Sequence, residues 1–158
     1  NNNEGFKVTA VYSNGKEEDV PAGEWQIEEP KTLGSSAADD TDTVVSGGPL
    51  LIEHGRLQVR VAEERIAADI AKGRAPRTAL GIKKDGTLLM LVVDGRSNNS
   101  AGLTLTELAT YLLRLGAREA VNFDGGGSSV LAINGQVVNR PSDGKERPVS
   151  IGLGLFAK

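Results

Sequence analysis

The chain has 158 residues, a net charge of −3, 39% hydrophobic and 25% charged residues, which is the composition of one ordinary globular domain. The acidic balance argues against a dedicated nucleic-acid binder, and the lack of cysteine excludes disulfides and thiolate metal sites. No apolar run is long enough to span a bilayer, and the first residues, NNNEG, carry no signal-peptide core.

The predicted elements, in chain order, begin with FKVTAVYSNGKEEDVP. Val8, Ala10 and Tyr12 alternate, and Asn14-Gly15 supplies the positive-φ pair of a hairpin turn. WQIEEPKTLGSSAADDTDT is polar and rich in turn formers, so it reads as a loop. VVSGGPLLIEHGRLQVRV is a second hairpin turning at His54-Gly55, and AEERIAADIAKG is a short helix closed by Gly73. RTALGIKKDGTLLMLVVDG is a third hairpin around Asp85-Gly86. Its second arm, Leu88 to Val93, is continuously apolar, which predicts burial on both faces.

The clearest helix covers 105–115. Thr104 and Glu107 form a capping box, Leu105, Leu108, Ala109, Leu112 and Leu115 share one face, and Gly116 suits the left-handed position that ends a helix. A buried strand, EAVNFD, then runs into a glycine loop. SVLAINGQVVN is a fourth hairpin at Asn134-Gly135, RPSDGKERP is a polar loop, and VSIGLGLFA is a last strand. Many hairpins with one strong helix and a second short one define an α+β domain with a mixed, largely antiparallel sheet.

Four segments carry candidate chemistry. In NFDGGGSS, the glycines Gly125, Gly126 and Gly127 leave main-chain amides free of Cβ atoms, so they are expected to converge on an anion beside Asp124. Ser128 and Ser129 add hydroxyls. The loop fits neither a P-loop nor a dinucleotide fingerprint, because no lysine follows and a strand is expected next. VVDGRS also ends an apolar strand on an aspartate, Asp94, followed by Arg96, which predicts two carboxylates at one rim of the sheet. APRTALGI offers Arg77 and NRPSDGKERP offers Arg147, planar forks that match phosphate or carboxylate oxygens.

Taken together, SGGPLL, PRTALGI, VVDGRS followed by AGLTLTELA, LGAREAVNFDGGGSSVL and VVNRPSDGKERPVS resemble the phosphodiester glycosidase family, over residues 44–156. Family domains begin with an Asn-Gly-Gly-Phe-Phe-like segment. Residues 1–43 contain none, so this single domain, 1–158, is expected to lack the usual N-terminal part. The resemblance implies an exported bacterial hydrolase that cleaves a sugar from a glycosyl-1-phosphodiester or a phosphate-containing polysaccharide of the cell surface. It implies Asp124 and Asp94 as catalytic carboxylates, and Arg77, Arg96, Asn122, Ser128, Ser129 and Arg147 as pocket residues beside the glycine loop. Arg77 and Arg147 would hold the phosphate. The alternatives are a non-catalytic glycan-binding domain and a phosphodiesterase that breaks the P–O bond.

Other residues have simpler readings. Glu107 is explained by the capping box, and His54, the lone histidine, by its turn. Trp25 suits either a sugar face or partial burial. No cofactor is required. Asp39, Asp40, Asp42, Asp94 and Asp124 offer hard oxygens suited to calcium or magnesium, but the sequence contains no calcium-loop pattern.

Overall fold

The computed structural model describes residues 45–150 and 152–155 in full, with the backbone of 8–11, 17–20, 25–26 and 156–157. Its centre is a five-stranded sheet. Strands β4 (Leu50–Glu53), β5 (Arg56–Leu57), β6 (Arg77–Lys83), β7 (Leu88–Val93) and β8 (Ala117–Asn122) lie in the order β5-β4-β8-β6-β7. Every neighbouring pair is antiparallel. Three further pairs are small: β1 (Val8–Val11) with β2 (Glu17–Val20), β3 (Trp25–Gln26) with β11 (Phe156–Ala157), and β9 (Ala132–Ile133) with β10 (Gln136–Val137). The α+β class expected from the sequence is the class observed.

Local chemistry explains the turns. His54 and Gly55 take φ of 53° and 75°, and Asn134 and Gly135 take 51° and 75°, so both hairpins close through two-residue turns with positive φ at both positions. The β6–β7 turn is stitched by the Asp85 carboxylate, which accepts from the Thr87 amide at 3.0 Å. The Asn14-Gly15 turn lies outside the described residues, although the strands that flank it pair. The expected loop from Trp25 is interrupted at its start by β3, and residues 27–43 also lie outside the described residues.

Helix α2 (Leu105–Arg114) forms as its sequence dictates. The Glu107 amide donates to Thr104 Oγ1 at 3.2 Å, and the Glu107 carboxylate accepts from the Thr104 amide at 2.9 Å. Gly116, at φ 91°, ends it. Leu105, Leu108, Ala109 and Leu112 are all fully buried, against Leu51, Ile52, Ala79 and Ala120 of the sheet. Burying three leucines contributes about 5–9 kcal/mol before chain entropy is charged against it.

Burial of β7 departs from expectation. Leu89 and Leu91 are buried, but Leu88, Met90, Val92 and Val93 are only half-buried. The strand is the edge of the five-stranded sheet, and its alternation turns Leu89 and Leu91 into the core shared with the α2 leucines while the other face stays partly open. Helix α1 (Ala68–Lys72) is one short turn with no buried residue. Gly73 closes it in an extended conformation at φ −73°, its amide donating to Asp69 O at 3.0 Å.

Candidate active site

Topology brings the sequence motifs together. Strand β6 runs antiparallel to both β7 and β8, so its first residue sits at the rim where those two strands end. Arg77 opens β6, Asp94 follows β7, Asn122 ends β8, and Phe123 to Gly127 follow it. A cavity of about 690 Å³ opens at this rim. Its walls are the segment around α1 (Arg65, Ile66, Asp69, Ile70, Arg74), the end of β8 (Asn122 to Gly127), Arg96 and Arg147. That volume falls within the usual range of small-molecule sites. Among the described residues five arginines and two aspartates line it, so this part of the wall is cationic.

The glycine loop is not the open amide cradle that its sequence predicts. The Gly125 amide donates to Asp124 Oδ1 at 2.9 Å and the Gly126 amide to Pro76 O at 3.0 Å. Those of Ser128 and Ser129 donate to Gly125 O and Gly126 O. Residues 126–128 of the expected loop form a single 3-10 turn, and the strand expected from Ser129 begins only at Ala132. Among the described residues, Gly127 is the loop position whose amide has no partner. The glycines have a different cause. A Cβ on Gly125 would sit 2.6 Å from Pro76 O, and Gly126 has φ 61°. The loop needs glycine to lie flat against the start of β6 and to turn back.

Asp124 fits its expected place. It is exposed, lines the cavity, and has one carboxylate oxygen oriented by the Gly125 amide. Asp94 does not join it. The two aspartates share the rim, but Asp94 Oδ1 accepts from Asn139 Nδ2 at 3.1 Å and from the Arg140 amide at 3.0 Å. Asn139 also donates to Ser129 O, at 2.9 Å, and accepts from the Leu131 amide, at 2.8 Å. Asp94 therefore anchors the 139–140 loop and lies outside the cavity lining.

Arg77 lines the cavity but is largely committed elsewhere. It is 3% exposed; Nε donates to Leu103 O at 2.9 Å, and Nη2 donates to Ile70 O at 2.7 Å and Gly73 O at 2.8 Å. Burial, and then the nearby Arg96 charge, push its pKa below the usual arginine value. Its two engaged nitrogens tie α1 to the sheet, which corrects the expectation of a freely offered phosphate fork. Ser129 is likewise structural: it is 1% exposed and accepts from Thr78 Oγ1 at 3.1 Å. Ser128 lies outside the lining but accepts from Arg147 Nη2 at 2.7 Å, which fixes that arginine over the loop.

Like Arg65, which also lines the cavity without a side-chain partner among the described residues, Arg96 is an arginine that the structure leaves available. It holds φ 54°, a conformation that L residues avoid, and its guanidinium lies over Gly126, with Nη1 3.1 Å from where a Cβ would stand. Among the described residues it has no hydrogen-bond or ion-pair partner. Asn122 is 4% exposed and donates to Gly48 O and Phe123 O, both at 2.8 Å. Its Oδ1 is buried without a partner.

Sequence reasoning missed Arg65, Asp69, Arg74 and Phe123 as lining residues. Arg74, two residues before Pro76, was the nearest to a signal. Arg74 donates to Gly102 O at 2.9 Å and pairs with Glu107. Among the described residues no three His, Asp or Glu gather to hold a metal ion. Asp39, Asp40 and Asp42 and the Trp25 side chain lie outside the described residues.

A family model described as phosphodiester glycosidase matches residues 1–156, and the chain belongs to that family. It is 42% identical over 67 residues to the Bos taurus N-acetylglucosamine-1-phosphodiester alpha-N-acetylglucosaminidase, covering 42% of this chain and 12% of that protein. It is 42% identical over 90 residues to the SPbeta prophage-derived uncharacterized protein YomE of Bacillus subtilis, covering 57% of this chain and 14% of that protein. Among solved structures it is similar to a hypothetical protein from Synechocystis, with 34% identity and a TM-score of 0.63 over 70% of this chain and 20% of that one. It is also similar to the zebrafish N-acetylglucosamine-1-phosphodiester alpha-N-acetylglucosaminidase catalytic domain auto-inhibited by its pro-peptide. There the identity is 28% and the TM-score 0.55, over 62% of this chain and 34% of that one. The chain therefore spans about an eighth of the curated relatives it matches.

Proposed function

We propose that this domain hydrolyses the anomeric C–O bond of a glycosyl-1-phosphodiester, with N-acetylglucosamine-1-phospho-glycans as the leading substrate class. The observation that carries the reading is Arg96, an unpaired guanidinium held in a strained backbone conformation over the glycine loop, in the same cavity as Arg147 and Asp124. Strain of this kind persists where function demands it. Family membership and the names of the relatives support the chemistry.

The departing group is a phosphate monoester, a good leaving group at neutral pH. Protonating it gains little, whereas neutralising its charge gains more. Arg96 and Arg147 take that role and replace the Arg77–Arg147 pair expected from sequence. Asp124, with one oxygen held by Gly125, acts at the anomeric carbon. The arginines supply the positive charge, and the proposed reaction invokes no cofactor. We assign the reaction to an exported setting on the strength of the resemblance. No helix among the described residues is long and apolar enough to cross a membrane.

A panel of glycosyl-1-phosphodiesters, read by released sugar, tests the proposal. Asp124→Asn is expected to lower kcat by about 10²–10⁴-fold. Hydrolysis in oxygen-18 water is expected to label the sugar. Label in the phosphate would mean P–O cleavage and would sink the C–O assignment.

A further inference from the structure

We infer that Asp69 is the second carboxylate of this site, acting with Asp124 from the other wall of the cavity; the inference rests on the glycosyl-phosphodiester reading above. Hydrolysis of a glycosidic bond ordinarily uses two carboxyl groups, one near the anomeric carbon and one to handle a proton. Asp94, the sequence candidate for the second, is occupied by Asn139 and Arg140 outside the cavity. Asp69 and Asp124 are the carboxylates that line the cavity among the described residues.

Asp69 lies in the first turn of α1, and its carboxylate has no hydrogen-bond or ion-pair partner among the described residues. Helix α1 buries no side chain fully and packs on the core through the half-buried Ala71 alone, so packing by itself does not hold it at the cavity wall. Arg77 does. A Cβ on Gly125 would lie 3.9 Å from Arg77 Cα, while the Arg77 guanidinium holds Ile70 O and Gly73 O. Arg77 thus spans the floor between the glycine loop and α1. Its grip on the carbonyl next to Asp69, with the Gly73 amide on Asp69 O itself, fixes the main chain that carries the carboxylate. Arg77 is a positioning residue, and a buried three-bond arginine suits that task better than a ligand fork.

The two aspartates then divide the work. Asp124, with Oδ1 held by the Gly125 amide, stands as the oriented charge beside the anomeric carbon. The unengaged Asp69 carboxylate takes a proton from water. The water oxygen bonds to the anomeric carbon as the bond from that carbon to the phosphate oxygen breaks. The electron pair leaves on that oxygen, and the products are free sugar and a phosphate monoester. Asp69 returns its proton to solvent.

The test compares wild type, Asp69→Asn, Asp69→Glu and Asp124→Asn with a neighbouring exposed control outside the cavity, Glu63→Gln. Asp69→Asn is expected to lose about 10²–10⁴-fold in kcat with KM within about 3-fold, and added formate is expected to restore part of the rate. Asp69→Glu retains more activity than Asp69→Asn, and Glu63→Gln matches wild type. A kcat for Asp69→Asn within about 3-fold of wild type, or a loss that formate does not repair, overturns the assignment. If wild type cleaves no glycosyl phosphodiester, the functional reading fails instead. Calorimetric binding of inorganic phosphate then judges the placement of Asp69. Removing a like charge from the cavity is expected to tighten phosphate about 3–10-fold in Asp69→Asn and not in Glu63→Gln. Equal affinities in the two variants overturn the inference.

Discussion

Replacing Arg77 by methionine tests the central structural claim, that one buried guanidinium holds the cavity wall in place. The substitution keeps a long side chain but removes three charge-assisted bonds, to Leu103 O, Ile70 O and Gly73 O. Such bonds are worth about 1.5–3 kcal/mol each, or about 4.5–9 kcal/mol together. Two effects reduce that sum. Removing a buried cation returns much of its desolvation penalty. The released carbonyls also find other partners, since Leu103 O already accepts from the Ala75 amide at 3.3 Å and Ile70 is 49% exposed, next to water. A net loss of about 3–4 kcal/mol remains, which in a domain of this size lowers Tm by about 6–15 °C. Far-UV circular dichroism melts measure the loss, and hydrogen exchange at Ala71 and Gly73 locates it, because their amides close the α1 turn. A melting point within about 2 °C of wild type, with α1 exchange unchanged, would refute the anchor and, with it, the positioning of Asp69. Arg77→Lys is expected to fall close to the methionine variant, because a single ammonium does not reproduce a planar fork that reaches two segments.

Two other perturbations have opposite or pH-dependent signs. Arg96→Gly relieves a left-handed non-glycine conformation and is expected to raise stability by about 0.5–1 kcal/mol, while phosphate affinity falls at least about 10-fold. A variant that is both less stable and unimpaired in binding would contradict the strain argument. Glu107 is held below its usual 4.5 first by the Thr104 amide and then by the Thr104 hydroxyl and Arg74, against an opposing effect of burial. A depressed carboxylate pKa contributes stability that is present above 4.5 and lost as pH falls through the folded value. Thermal melts between pH 6 and pH 3 are therefore expected to slope less for Glu107→Gln than for wild type.

Much of the fold was legible because its signals are local. The Thr104–Glu107 box, the left-handed Gly116 and the two-residue turns at His54-Gly55 and Asn134-Gly135 each depend on residues within one turn of the chain, and each formed as read. Antiparallel pairing through β6 then carried PRT, VVDG and NFDGGG to one rim, so the neighbourhood of the site followed from strand order. What the side chains do at that rim was not legible. Asp94 turns to a partner 45 residues away, Arg77 to Leu103 26 residues away, and the glycine-loop amides to one another, to Asp124 and to Pro76. Asp69 left no pattern, since α1 is one turn that packs on the core through Ala71 alone and is held further by Arg77. Composition and short-range spacing determine backbone conformation, which depends on φ, ψ and nearby caps. Only the tertiary structure decides which donors and charges remain uncommitted, because their partners come from segments distant in sequence.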